Sequence, residues 1–219
     1  MIARRRWLAH CSAALLGAAL LAAKPPFAIA AGARAQTILV VGDSLSAEYG
    51  LQRGSGWVAL LAARLAREHP AASVVNASIS GDTTAGGLAR LPALLGQHRP
   101  ALVVLELGGN DALRGLPIDT TRSNLVDMAK LAKAAGAGLL ILGMQVPPNY
   151  GRSYGERFAG MFAEVSRSQG AALVPFMLKG VADIPQSERM FQADRIHPLA
   201  SAHPIILGNV WPVLEPLLK

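Results

Sequence analysis

The stretch TILVVGDS at residues 37–44 sets a pattern that the rest of the chain repeats. Residues 37–41 are β-branched or leucine, a composition typical of a β-strand, and Gly42 ends the run. Apolar residues at helical spacing follow: Trp57, Leu60, Leu61 and Leu65, with Ser55 as the predicted N-cap. Ser44 is therefore predicted to lie in the turn between a strand and a helix.

The alternation of short apolar runs and longer amphipathic segments continues to the end of the chain. Residues 102–105 form a continuous apolar run, which is typical of a strand buried on both faces of a sheet. Further strands are predicted at residues 73–75, 139–142 and 172–174, and helices at 84–95, 119–135, 153–168 and 205–217, the last kinked or split at Pro212. Five strands alternating with helices predict one α/β domain with a five-stranded parallel sheet. Ligands bind such sheets beyond the carboxyl ends of the strands.

The first 35 residues differ in composition from the rest. They contain five basic residues and no acidic residue, starting with Arg4-Arg5-Arg6, and an apolar run extends from Cys11 to Ala23. Ala33-Arg34-Ala35 is a small-residue cleavage signal, and the apolar run is shorter than the ~20 residues of a membrane-spanning helix. We predict a signal peptide over residues 1–35 and a mature domain over 36–219, which is periplasmic or secreted and has no stable membrane insertion. An uncleaved anchor is the alternative.

Charge and cysteine content exclude several classes of function. The net charge of +7 arises mainly from the N-terminal segment, since the remainder has 16 basic and 14 acidic residues and no basic run. Nucleic-acid binding is therefore not expected. Cys11 is the only cysteine, so the mature chain has no disulfide, thiol nucleophile or cysteine-bound zinc.

Ser44, in the turn after the first predicted strand, is the candidate nucleophile, although an ordinary capping serine is its simpler interpretation when it is considered alone. A serine nucleophile needs a base, and the base needs an acid that orients it. His197 is the best candidate base, because Asp194 precedes it by three residues and can reach the imidazole across a tight turn. His203 is the rival base, and a surface position at a helix entry is its simpler interpretation. His69 and His98 lie beside prolines at helix ends, where solvated structural roles are expected.

Hydrolysis by a serine also needs hydrogen-bond donors for the oxyanion. Ser44 and Gly81 can present backbone N–H groups, and Asn110 can present its side-chain amide. All three residues follow predicted strand ends. Turn formation is the simpler interpretation of Gly81 and Asn110.

A metal site is the alternative use of the same residue types. Asp43, Asp82 and Asp111 follow strand ends and would suit a hard cation. Asp194 and His197 would suit a second type of metal, but no third histidine or cysteine accompanies them. We therefore predict no metal site.

Four segments, in this order, resemble the four sequence blocks of the SGNH (GDSL) hydrolases. They are Gly42-Asp43-Ser44-Leu45-Ser46, Gly81, Gly108-Gly109-Asn110-Asp111 and Asp194-x-x-His197. The resemblance extends through longer matches at residues 76–83, 105–111 and 148–151, and covers residues 37–217.

The resemblance implies a three-layer flavodoxin-like fold, Ser44 as nucleophile, and Asp194 and His197 as its partners. The Ser44 N–H, the Gly81 N–H and the Asn110 amide would form the oxyanion hole. Members of this family hydrolyse aryl esters, acyl thioesters and lysophospholipids without a cofactor, and the residues that match their acyl-groove loop include three candidates for substrate binding: Pro148, Asn149 and Tyr150. We expect a monomer whose partners are small-molecule substrates.

Two departures from close relatives accompany the resemblance. Glu48 stands where a glycine is usual, near the nucleophile turn, where it would alter the approach of substrate; Pro212 interrupts the last helix. A carbohydrate acetyl esterase and a non-catalytic binding protein remain alternative functions. Apolar residues near the strand ends favour a longer acyl chain: Leu113, Leu116, Met144, Pro147 and Pro148.

Overall fold

The computed structural model describes residues 36–218, so the predicted signal peptide over residues 1–35 lies outside the described residues. A five-stranded sheet with strand order β2-β1-β3-β4-β5 forms the middle layer, and every pair of neighbouring strands is parallel. The strands are β1 Gln36–Gly42, β2 Ala72–Asn76, β3 Leu102–Glu106, β4 Gly138–Leu142 and β5 Ala172–Val174. The predicted α/β class with a five-stranded parallel sheet is confirmed.

Helices form the two outer layers. They are α1 Trp57–Glu68, α2 Thr84–His98, α3 Gly109–Leu113, α4 Ile118–Ala134, α5 Arg152–Gln169 and α6 His203–Leu214. Helices α1 and α6 pack together on one face, and α2, α4 and α5 pack side by side on the other. Within residues 36–218, no helix is both long enough and apolar enough to cross a bilayer.

The central strands are buried on both faces, as the apolar run at residues 102–105 predicted. Every residue of β3 is buried, and so are residues 38–42 of β1. Aromatic side chains fill the two helix–sheet layers, with Trp57 on one face and Phe158 and Phe162 on the other. Burial of each side chain of this size stabilises the fold by roughly 1.5–3 kcal/mol, so these layers hold the strand ends in place.

The predicted N-cap of α1 is wrong. Gly56 is the capping residue, and the Ser55 hydroxyl donates instead to a carbonyl of its own loop. The first amides of α1 find distant acceptors: Nδ1 of His203 accepts from the Trp57 amide at 3.0 Å, and Glu48 Oε1 accepts from the Gly56 amide at 2.8 Å. The first of these acceptors is 146 residues away in sequence, so a local capping pattern cannot reveal it.

The predicted split of the last helix at Pro212 is also wrong, whereas a kink there stays a prediction. Helix α6 continues through Pro212 to Leu214, and a 3-10 turn over Glu215–Leu217 follows. Pro212 lies in the last turn of the helix, so it removes a single hydrogen bond there. Helix α2 similarly accommodates Pro92 and extends to His98, beyond the predicted end at residue 95.

The strand order places a crevice between β1 and β3. Strand β1 pairs with β2 on one side and with β3 on the other. The connection that follows β1 leads to β2 and the connection that follows β3 leads to β4, so the two connections leave the sheet in opposite directions. Such a switch point is where open parallel sheets bind ligands. Ser44 follows β1 and Asn110 follows β3, so both predicted site residues lie at the edge of this crevice.

Candidate active site

A tight turn after β1 holds Ser44. The Asp43 carbonyl accepts a hydrogen bond from the Ser46 amide at 3.3 Å, which closes the chain around Ser44. The space at position 42 favours glycine, because a Cβ there would lie 2.7 Å from Oε2 of Glu106 and 2.9 Å from Oγ of Ser46. Ser44 itself is only partly buried at the sheet edge.

A second turn, before α6, brings Asp194 and His197 close to Ser44. Arg195 adopts the left-handed conformation at φ 59°, and Oδ1 of Asp194 accepts from the amides of Ile196 at 2.9 Å and His197 at 3.0 Å. Oδ2 of Asp194 lies 2.6 Å from Nδ1 of His197. Nε2 of the same ring lies 2.8 Å from Oγ of Ser44. The structure thus joins Asp194, His197 and Ser44 in one hydrogen-bonded chain.

Asp194 is held as a carboxylate. Partial burial acts to raise its pKa, but hydrogen bonds from the amide and ring of His197 and from the Ile196 amide outweigh it and lower the pKa to about 2. A carboxylate can only accept hydrogen bonds, so Nδ1 of His197 carries the proton. Nε2 is then free to accept the proton of the Ser44 hydroxyl, which is the arrangement that a general base needs.

An aromatic ring supports His197 from the side. The ring of Tyr49 lies against the imidazole, with centroids 4.3 Å apart and planes tilted by 37°. Gln192 joins the two backbones, because its side chain donates to the Tyr49 carbonyl at 2.9 Å and its amide donates to the His197 carbonyl at 2.8 Å. Sequence reasoning missed both Tyr49 and Gln192; proximity to Ser44 and Asp194 along the chain was the only signal.

The segment that contains Gly81 and the residue Asn110 are both tied to the nucleophile turn. The Ile79 amide donates to the Gly42 carbonyl at 3.1 Å, and Gly81 follows at φ 79°, a conformation that favours glycine. The Asn110 side-chain nitrogen donates to Oδ2 of Asp43 at 2.9 Å. That contact uses one of its two amide protons and leaves the second available for an oxyanion.

Two buried carboxyl groups lie directly behind this turn. Oε2 of Glu106 accepts from the Asp43 amide at 3.2 Å and from the Ser46 hydroxyl at 2.7 Å. Burial raises the pKa of Asp43 to about 6, although hydrogen bonds from Leu45 and Asn110 act to lower it. Burial and the adjacent charge of Asp43 raise the pKa of Glu106 well above its usual range. Sequence reasoning missed Glu106. The only indication in the sequence was that this acidic residue directly follows the apolar run at residues 102–105.

The three aspartates considered as cation ligands each bind protein donors. Asp43 accepts from Asn110, as described, and Oδ2 of Asp82 pairs with Nε of Arg90 at 2.8 Å. Asp111 accepts from the amide of Thr84 at 2.9 Å and from its hydroxyl, at the start of α2. Across residues 36–218, no group of three histidine, cysteine or acidic side chains is arranged to hold a metal ion.

His203 is neither a second base nor a surface residue. It is buried, and its Nδ1 accepts from the Trp57 amide at the start of α1. Burial lowers its pKa, although the charge of Glu48 and the Pro198 carbonyl act in the opposite direction. His203 is therefore a neutral helix cap, and both interpretations made from the sequence are wrong.

The other two histidines within residues 36–218 lie at helix ends, as expected. His69 is the C-cap residue of α1, and its Nε2 lies 3.3 Å from the Glu215 carboxylate. His98 is the last residue of α2 and is half-buried.

Glu48 faces the loop before α1. It adopts the left-handed conformation at φ 59°, and its carboxylate accepts from the amides of Gly54 at 3.0 Å and Gly56 at 2.8 Å. These contacts give Glu48 a structural role in the loop that leads from Ser44 to α1.

The segment predicted to flank the acyl groove forms a 3-10 turn over Pro148–Tyr150, between β4 and α5. Pro148 and Asn149 are exposed, and the ring of Tyr150 stacks on Tyr154 with centroids 5.9 Å apart. An open pocket beside this turn is lined by residues 145–148, 151–152, 155–156 and 159, and does not include Ser44. Substrate contact by Pro148, Asn149 and Tyr150 stays a prediction.

Comparison with known proteins identifies relatives over nearly the whole described region. The chain is 57% identical to "Esterase TesA" of Pseudomonas aeruginosa over 186 residues, which cover 85% of this chain and 91% of that protein. It is 43% identical to "Thioesterase 1/protease 1/lysophospholipase L1" of Escherichia coli over 187 residues, which cover 85% and 87% of the two chains.

Solved structures agree with these likenesses. The crystal structure of TesA superimposes with a TM-score of 0.80 over 84% of this chain and 100% of that chain, at 57% identity. Esterase EstA from Pseudoalteromonas sp., inhibited by monoethylphosphonate, superimposes with a TM-score of 0.78 over 84% and 98%, at 39% identity. The sequence pattern of the GDSL-like Lipase/Acylhydrolase family matches residues 40–205, so the chain belongs to this family and is a carboxylic ester hydrolase.

Proposed function

We propose that Ser44 is the nucleophile, His197 the general base and Asp194 the orienting acid in the hydrolysis of carboxylic esters and thioesters. The observation that carries this proposal is the unbroken chain of contacts from Asp194 through His197 to Oγ of Ser44, at 2.6 and 2.8 Å. A nucleophile and a base within hydrogen-bond reach, with a third group orienting the base, are the signature of such a site.

In the first half of the reaction, Oγ of Ser44 attacks the acyl carbonyl carbon while its proton passes to Nε2 of His197. The tetrahedral intermediate collapses as the bond to the leaving oxygen or sulfur breaks and the proton on Nε2 transfers to that atom. An acyl-enzyme remains on Ser44. In the second half, His197 takes a proton from water, the hydroxide attacks the acyl carbon, and Ser44 regains its proton as the carboxylic acid leaves.

The negative charge on the intermediate is stabilised by the Ser44 amide, the Gly81 amide and the side chain of Asn110. Within residues 36–218, the Ser44 and Gly81 amides have no hydrogen-bond acceptor, and Asn110 has a second amide proton beyond the one given to Asp43. Loss of one such donor typically costs about 3 kcal/mol of barrier, so Asn110→Ala should reduce kcat by roughly 100-fold.

Apolar side chains around Ser44 support an apolar acyl or aryl group in the substrate. Tyr49, Ile79, Leu113 and Ile196 are 44% to 53% exposed, and each lies within a few residues of a proposed catalytic or oxyanion residue. Exposed apolar side chains concentrated around one site usually mark a binding surface. Relatives named as an esterase, an arylesterase and a thioesterase/lysophospholipase support aryl esters, acyl thioesters and lysophospholipids as the substrate range.

We further propose that the enzyme is exported after cleavage near residue 35, and acts in the periplasm or outside the cell as a monomer on small-molecule substrates. The basic start, short apolar run and small-residue site at residues 33–35 support export. Cell fractionation and N-terminal sequencing of the native protein would test it. A cytoplasmic protein that retains its N-terminus would contradict it.

The function is tested by turnover of p-nitrophenyl esters from acetyl to palmitoyl, comparing wild-type protein with Ser44→Ala. Ser201→Ala, which removes an exposed hydroxyl in the turn before α6, is the matched control. We expect Ser44→Ala to lose turnover and phosphonate labelling with an unchanged melting temperature, and Ser201→Ala to behave as wild type. Full activity in Ser44→Ala would overturn the assignment, no turnover by the wild type would favour a binding protein, and strict acetyl preference would favour a carbohydrate acetyl esterase.

A further inference from the structure

Glu106 connects the two ends of the turn that carries Ser44. It is the last residue of β3, opposite Gly42 in the pairing of β1 with β3, and it is 1% exposed. Its Oε2 accepts from the amide of Asp43, just before Ser44, and from the hydroxyl of Ser46, two residues after it. A single carboxyl oxygen therefore links positions on both sides of the nucleophile to the rigid centre of the sheet.

The hydroxyl of Ser46 is itself oriented by a buried donor. Nε1 of Trp57 donates to Oγ of Ser46 at 3.1 Å, and Trp57 is fully buried. Because this oxygen accepts from Trp57, its own proton is directed to Glu106. The backbone carbonyl of Ser46 is also anchored, since the Asn76 side chain donates to it at 2.7 Å.

The space around these groups is filled. A Cβ at position 42 would lie within 2.9 Å of both Oε2 of Glu106 and Oγ of Ser46. Gly42 therefore leaves the space in which the side chains of Glu106 and Ser46 meet.

The charges around Glu106 favour its uncharged form. No lysine, arginine or histidine within residues 36–218 forms an ion pair with it, and its nearest acidic neighbour is Asp43. The other ionisable groups that act on Asp43 are His197 and Asp82, and Asp82 pairs with Arg90. Both carboxyl groups accept two hydrogen bonds, but burial raises the pKa of Glu106 further than that of Asp43, so Asp43 is the better site for the single negative charge.

We propose that Glu106, as an uncharged carboxyl group, is a positioning residue that holds the turn around Ser44 in the conformation needed for attack. This inference rests on the proposed role of Ser44. It adds a group that does not touch substrate and that acts through the Asp43 amide and the Ser46 hydroxyl.

The test compares Glu106→Gln with Glu106→Leu, using Glu164→Gln on the exposed face of α5 as the control. Steady-state hydrolysis of p-nitrophenyl butyrate gives kcat and KM, and active-site titration with a p-nitrophenyl phosphonate normalises kcat to correctly folded sites. Glutamine keeps the shape, the neutral charge and an accepting oxygen, so Glu106→Gln should retain kcat within about fivefold. Leucine accepts no hydrogen bond, so Glu106→Leu should lower kcat about 100-fold and keep KM within about twofold. A loss of this size in kcat is expected when the nucleophile is misplaced by about 1 Å.

Two results would overturn the inference: wild-type kcat in folded Glu106→Leu, or an equally large loss in Glu106→Gln and Glu106→Leu. If Glu106→Leu does not fold, Ser46→Ala provides the second test, since it removes one of the two hydrogen bonds to Glu106. We expect its kcat to fall about 10-fold at unchanged KM, as for a hydrogen bond worth about 1.4 kcal/mol, and an unchanged kcat would count against the role. If Ser44→Ala is inactive while the variants at Glu106 and Ser46 are fully active, the role of Glu106 is refuted and the role of Ser44 as nucleophile still stands.

Discussion

The side-chain nitrogen of Asn110 donates a 2.9 Å hydrogen bond to the carboxylate of Asp43. Asn110 follows β3 and Asp43 follows β1, so this contact joins the two strand ends that border the crevice. It also determines which atom of Asn110 faces the turn, because a carboxylate accepts only from the nitrogen. Asp43 thereby connects the turn that carries Ser44 to a proposed oxyanion donor.

Replacing the Asp43 carboxylate should therefore impair catalysis through Asn110. In Asp43→Asn, the new amide offers one oxygen for two donors, the Leu45 amide and the Asn110 side chain. We expect kcat for p-nitrophenyl butyrate to fall about 10- to 100-fold with little change in KM, as for the loss of an oxyanion donor.

A double-mutant comparison separates this mechanism from general damage. If Asp43 acts through Asn110, the double variant Asp43→Asn/Asn110→Ala should be no slower than Asn110→Ala alone. Fully multiplicative losses would show that Asp43 acts by another route. Asp119→Asn, which changes an exposed acid on α4, should leave kcat unchanged.

Asp43 should also make stability depend on pH. Its pKa is raised to about 6 in the folded protein, against 3.8 for the free side chain, so the folded state holds a proton that the unfolded state releases. The contribution of this group to the free energy of unfolding is full below pH 4 and declines as the pH rises from about 4 to about 6.

Urea denaturation at several pH values measures this contribution. The stability of Asp43→Asn relative to the wild type should increase between pH 4 and pH 6, by at most about 3 kcal/mol. A difference that stays constant across this range would show that Asp43 titrates normally in the folded state.

Local sequence patterns predicted most of the fold. The strands follow apolar runs, and the predicted fifth strand, residues 172–174, matches β5 in both limits. The contact between Asp194 and His197 could also be predicted from the sequence, because the two residues are only three positions apart. The short helix α3 was not predicted, since its five residues GNDAL have no helical apolar pattern.

Contacts between distant residues account for what sequence reasoning missed. Glu106 meets Ser46 across 60 residues, and His203 meets Trp57 across 146. Nothing near either residue in sequence indicates its partner, because the parallel sheet order brings them together only after folding. The contacts of Glu48 with the amides before α1 were also missed. Its expected effect on the approach of substrate stays a prediction.

The aromatic contact between Tyr49 and His197 should contribute to catalysis. The ring limits the motion of the imidazole and can stabilise its cationic form by a cation–π interaction, an effect of about 0.5–1 kcal/mol at an exposed site. Tyr49→Phe should keep kcat within about twofold, whereas Tyr49→Leu should lower it about three- to fivefold. Equal losses in the two variants would assign the effect to the hydroxyl instead.

Glu48 should affect stability more than activity. Glu48→Ala leaves the Gly54 and Gly56 amides without their acceptor, which should lower the free energy of unfolding by about 1 kcal/mol, as for a lost helix cap. We expect kcat and KM for neutral esters to stay within about twofold of wild type. A change in KM at unchanged melting temperature would show instead that Glu48 controls the approach of substrate.

Asp194 should make the free energy of unfolding decrease at low pH. Its pKa is lowered to about 2, so its contribution to stability is present above about pH 4 and is lost as the pH falls from about 4 towards 2. Asp194→Asn should remove this loss, which acid denaturation followed by circular dichroism would measure. The same variant should keep more activity than Ser44→Ala, because Asp194 orients His197 and forms no bond to substrate. Residual turnover equal to or below that of Ser44→Ala would contradict this role, and an unchanged acid-unfolding midpoint would show that Asp194 gains no charge stabilisation on folding.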